Sequence, residues 1–145
     1  MSKLLSIGLI TCLLSTVLFS HQRSESYSKI YIDSTAESKS IEVEFSIQTS
    51  VLQRLNLNFT ENWEEELTSK VIDNFNFNKN CNLSKTPFLK NSFSTGYLTL
   101  LWTMECELEE STINFELFFD EDPTHTHIST FNINSVASPE KVFTS

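Results

Sequence analysis

Two imidazoles stand one residue apart in His125-Thr-His127, directly after Asp120-Glu-Asp-Pro123. On an extended strand, residues two apart share a face. His125 and His127 would then sit side by side, about 6–7 Å apart at the backbone, near enough for both rings to grip one divalent ion. Thr124 and Thr126 would face the other way. Asp120, Glu121 and Asp122 stand just upstream, and any of them could add a carboxylate oxygen, Asp122 being the one taken as the ligand. Pro123, which cannot donate to a ladder, suits an edge or a first-strand position.

The third histidine of the chain, His21, follows a leader-like segment. Lys3 precedes an apolar run from Leu4 to Phe19, and Ser20 supplies a small residue for cleavage, the pattern of a secretory signal. The run falls short of the ~20 apolar residues of a membrane-spanning helix; an uncleaved anchor is the alternative. Cleavage after Ser20 would give His21 a free α-amine beside its imidazole, a compact chelating pair. His21, Asp122, His125 and His127 are therefore the expected metal ligands, provided the segment after His21 lies beside the strand after Pro123. Imidazole donors suit Cu(II), Ni(II) and Zn(II), copper most tightly. The alternative is an H-x-H that is solvated polar surface.

Other chemistries have less to stand on. No G-x-S-x-G elbow is present, and two glycines leave little material for an oxyanion turn or a phosphate loop. The formal charge of −9 argues against nucleic acid as a partner. Cys12 would leave with the leader, so Cys81 and Cys106 remain, an even number for an oxidising compartment. A disulfide between them is expected; two free thiols are the alternative. No enzymatic activity is expected.

The elements that must position these groups are mostly strands. Residues 1–20 read as the leader and 21–145 as one exported domain. Ser26–Asp33 reads as a strand. Ile41, Val43, Phe45 and Ile47 alternate with polar residues and mark a half-buried strand. Ser50–Leu57 reads as a short helical turn. Asn62 and Glu65 could form a capping box ahead of a helix whose apolar stripe is Trp63, Leu67, Val71 and Phe75. A short strand leads to Cys81, a loop spans Leu83–Gly96, and strands follow at Tyr97–Glu107, Thr112–Phe119, His125–Asn134 and Lys141–Thr144. Leu108–Ser111 is of hairpin length, so the first two of these would pair. Trp63 and Trp102 are expected in the core, as are Phe115, Leu117 and Phe119 from one strand face. The fold class is thus mainly β with one principal helix: an antiparallel sheet or small sandwich with that helix packed on it.

The segments HQRSESYS, EVEFSI, FFDEDPTHTHISTFNI and EKVFT, together with Cys81 and Cys106, resemble the extracytoplasmic portion of HupE/UreJ-family membrane proteins. The resemblance spans nearly all of residues 21–145. It implies an exported, periplasmic, membrane-associated β-rich domain that captures or senses a divalent transition metal (Ni, Cu or Co) for a membrane transport unit. The partner would be an integral membrane protein, or transmembrane helices of its own chain beyond Ser145. A metal-free structural or protein-interaction module docking on a membrane partner is the second reading.

Overall fold

The computed structural model describes residues 24–34, 39–54, 61–77, 81–92, 96–107 and 113–145. The segment expected to be a leader and His21 lie outside the described residues. Among the described residues, ten strands and two helices follow in chain order. They are β1 (Glu25–Ser34), β2 (Lys39–Gln48), α1 (Thr49–Arg54), α2 (Trp63–Asn74), β3 (Phe75–Phe77), β4 (Cys81–Leu83), β5 (Phe88–Ser92), β6 (Tyr97–Cys106), β7 (Ile113–Phe115), β8 (Thr126–Ile133), β9 (Val136–Ala137) and β10 (Lys141–Thr144). The fold is mainly β, with α2 as its principal helix.

The main sheet runs β10-β8-β1-β2-β6-β4, with β5 also on β6 and β9 also on β8. Its ladders are antiparallel except one: β1 and β8 run parallel, with Ser26 opposite His127 and Ser28 opposite Ser129. A parallel pair needs a crossover rather than a tight turn, and here the chain between Ser34 and Thr126 forms it. β8 therefore lies inside the sheet, between β10 and β1, and Pro123 sits in the turn before it. The expected edge position is corrected by that neighbourhood.

Strand alternation decides which side is covered. Ile41, Val43, Phe45 and Ile47 of β2 and Leu98, Leu100, Trp102 and Met104 of β6 turn to one face and are buried. Burying such side chains stabilises by about 1.5–3 kcal/mol each. On that face lie α1 with Val51 and Leu52, α2 with Leu67 and Val71, and the two-stranded ribbon of β3 and β7. The helical stripe holds at Leu67 and Val71, whereas Trp63 is half-buried and Phe75 already belongs to β3.

Several local expectations change. Asn62 makes no side-chain cap bond, so the capping box does not form; its carbonyl accepts from Glu66 N–H at 3.1 Å instead. β7 ends at Phe115 and pairs with β3, not with β6, so the hairpin expected over Tyr97–Phe119 is absent. After it the chain turns over 117–121, where Phe118 adopts φ 68° and buries its ring. β5 occupies part of the expected 83–96 loop. Cys81 and Cys106, direct cross-strand partners, form a disulfide that clasps β4 to β6. Among the described residues, no helix is long and apolar enough to cross a membrane.

Candidate functional site

β1 and the residue before it carry serine at every second position, Ser24, Ser26 and Ser28, before giving way to Ile30. β8 and the residue before it carry His125, His127 and Ser129 with the same period, before Phe131. The parallel register sets these two polar stripes side by side, both turned into the core. All six side chains are buried, His125 at 1% and His127 at 0% exposure. The two imidazoles do share a face, but that face is the interior rather than solvent.

Every ring nitrogen of the pair meets a serine hydroxyl. His125 Nδ1 lies 2.8 Å from Ser24 Oγ, and its Nε2 lies 2.9 Å from Ser26 Oγ. His127 Nδ1 lies 2.8 Å from the same Ser26 Oγ, while its Nε2 reaches Ser28 Oγ at 3.0 Å and Ser129 Oγ at 2.9 Å. Ser28 and Ser129 hydroxyls lie 2.6 Å apart. At the other end, Ser24 Oγ donates to Asp122 Oδ2 at 2.5 Å. The result is one continuous spine: Asp122, Ser24, His125, Ser26, His127, then Ser28 and Ser129.

Counting donors assigns the protons along it. An ionised carboxylate only accepts, and a serine has one proton to give. Ser24 gives its proton to Asp122, so its oxygen accepts from His125 Nδ1–H. His125 Nε2 is then the acceptor for Ser26 O–H, and Ser26 in turn accepts from His127 Nδ1–H. His127 Nε2 accepts from Ser28 or Ser129, and the other of these two donates to its neighbour. Both rings are thereby neutral Nδ1–H tautomers, assigned by the network, and each nitrogen is satisfied.

The surroundings favour that neutral state. His127 stacks on Phe115 with centroids 3.5 Å apart and 15° between planes; Phe45 and Phe75 complete an aromatic cage. His125 meets the edge of Phe118 at 5.4 Å. Removal from water pushes His127 down to about 3, with His125 beside it adding to the effect. The same burial lowers His125 to about 4, against the opposing pull of Asp122. The Asp122 carboxyl is held below its usual range chiefly by the Ser24 hydroxyl and then by Thr124, whose N–H and Oγ1 donate to Oδ1 at 2.9 and 2.6 Å. The turn that delivers Phe118 is tied down by Asp122 N–H on Phe118 O, His125 N–H on Asp122 O, and the ion pair of Lys70 with Glu121.

Of the expected ligands, His125 and His127 come together, and β1 does lie beside β8 as a site with His21 requires. The Asp122 carboxylate has no direct hydrogen bond to either ring; it reaches the His125 ring through Ser24 Oγ. His125 Nε2 and His127 Nδ1 converge on one point, which is where an ion shared by the pair would sit, and Ser26 Oγ fills it. Among the described residues, no three His, Cys, Asp or Glu side chains are grouped to hold a metal. Ser24 sits between an aspartate and a histidine, but at 0% exposure it is no accessible nucleophile. Reading the sequence alone misses the serines and the phenylalanine cage. The signal for the serines is their period of two, in phase with Ile30.

No family model and no curated protein matches the chain. The HupE/UreJ likeness therefore stays a likeness, and the geometry of the buried spine is what bears on function.

Proposed function

We propose that this chain is a non-enzymatic, extracytoplasmic interaction module, in which the histidine pair holds the fold together rather than a metal ion. The observation that carries this reading is that all four ring nitrogens are already bonded to buried serine hydroxyls, one of which stands at the point of convergence. A metal bound by both rings would have to displace Ser26 and leave hydroxyls without partners in the core, at about 1–3 kcal/mol for each stranded group. The disulfide and the apolar leader support a location outside the cytoplasm. The membrane-embedded unit implied by the HupE/UreJ resemblance would then be the partner on which the domain docks. What the fold offers such a partner is surface: Leu83, Phe88, Val136 and Val142 are exposed apolar side chains.

Calorimetric titration of the protein with Ni(II), Cu(II) or Co(II) tests the reading. It predicts no one-equivalent binding that changes with His125→Asn. Stoichiometric binding lost in His125→Asn would overturn it and restore the metal-capture function. Binding lost only in His21→Ala would place an ion at the amino-terminal segment and leave the spine structural.

A further inference from the structure

α2 and the segment from β4 to β5 enclose a groove of about 770 Å³, within the size range of ligand sites. Along its helical wall run Glu65, Ser69 and Asp73, on successive turns; Ile72, Leu83 and Leu89 supply apolar surface between and opposite them. Leu83 is 46% exposed, large for an apolar side chain held on a strand. Among the described residues, no lysine or arginine lines the groove.

The charge pattern of α2 says what is missing. Three glutamates fill its first turn, where the helix dipole stabilises them, but no basic residue stands in its last turn. Asp73 instead puts a carboxylate at the negative end of the dipole. A cation from outside would relieve that arrangement, and the apolar strip beside it calls for an aliphatic group on the same ligand. A second copy of this chain, whose charge is −9, is repelled, and so is an anionic lipid surface.

We infer that this groove receives an extended, basic segment of a partner polypeptide, two cationic residues flanking an apolar one. The spacing follows from the two geometries. Glu65 and Asp73 are eight helical residues apart, about 12 Å along the axis. An extended chain covers about 13 Å in four residues, so the motif is basic-x-apolar-x-basic. The cations meet Glu65 and Asp73, and the central side chain lies on Ile72 and Leu83. This inference rests on the interaction-module reading and names the surface that the reading uses. Through the Cys81–Cys106 bond, which fixes β4 on β6, the disulfide holds Leu83 in the groove wall.

The test is fluorescence polarisation with a labelled Arg-Ser-Leu-Ser-Arg peptide on the oxidised protein. Saturable one-site binding is expected, weakened at least tenfold by Asp73→Lys and about fivefold by Leu83→Ser. Both positions are exposed, so the fold is retained; replacing the peptide's leucine by serine gives the same contrast with no change to the protein. Absence of saturable binding overturns the inference. So does binding indifferent to all three changes, which would be general attraction to an acidic surface, or a groove closed by self-association in sedimentation. Loss of the groove alone leaves the metal titration to decide the broader reading.

Discussion

Ser26 bridges two imidazoles, and the consequences of removing it differ sharply from those of removing its neighbour. In Ser26→Ala, His125 Nε2 loses its donor and His127 Nδ1–H loses its acceptor, both in a buried site. Chemical denaturation should show a loss of about 2–6 kcal/mol, from 1–3 kcal/mol for each of the two stranded groups. Ser28→Ala should cost under about 1 kcal/mol, because Ser129 Oγ also reaches His127 Nε2. Equal losses would contradict the sharing of His127 Nε2 between Ser28 and Ser129. Acid should act on the same residues. A histidine whose folded-state value is depressed contributes fully above its unfolded value near 6.5. That contribution is lost as pH falls from there toward about 4 for His125 and about 3 for His127. Asp122, also depressed, has its effect only lower, as pH falls through the carboxylate range. Stability should therefore be flat above about pH 7 and decline from 6.5 downward, by about 2 kcal/mol at pH 5 from His127 alone. A midpoint denaturant concentration unchanged between pH 7.5 and 5 would contradict it. The sequence shows that His125 and His127 share a face; it does not show which face. An H-x-H next to acidic residues reads as solvent-facing, and only the serines opposite make its burial tolerable.

At the scale of elements, β2 is legible because Ile41, Val43, Phe45 and Ile47 alternate without interruption. The stripe of α2 is legible for the same reason at the helical period. β1 reads as a strand, but its inward serines look like an outward face, so its polar half gives no sign of where it packs. The partner strand lies about a hundred residues away in parallel register, and neither fact has a local signature. β7 reads as too long because Phe115, Leu117 and Phe119 alternate. The chain instead turns at Phe118, whose positive φ costs about 1–3 kcal/mol in a non-glycine residue and places the ring on His125. Cys81 and Cys106 are legible as a pair by their number and by the leader expected before them, and their bond staples the short β4. Replacing both by serine should lower stability by about 3 kcal/mol for a separation of 25 residues. It should also weaken the groove peptide, since Leu83 ends that strand. Loss of stability with full peptide affinity would show that β4 stays in place without its staple.

The whole molecule combines a large sheet, one face covered by helices and ribbon, with an acidic surface and a polar seam inside. Such a seam destabilises a core unless every group is bonded, and here every ring nitrogen of His125 and His127 is. Its value lies in specificity: slipping β1 by one residue would turn its serines out and its outward side chains onto the two histidines. Two-bond proton–nitrogen correlation of the imidazoles by NMR tests this account most directly, between pH 7 and 4 and with one equivalent of Ni(II). Both rings should be neutral Nδ1–H tautomers at pH 7, neither should gain a proton above about pH 5 while the protein is folded, and nickel should leave them unchanged. A ring cationic at pH 6, an Nε2–H tautomer, or selective loss of these two signals on adding nickel would contradict it.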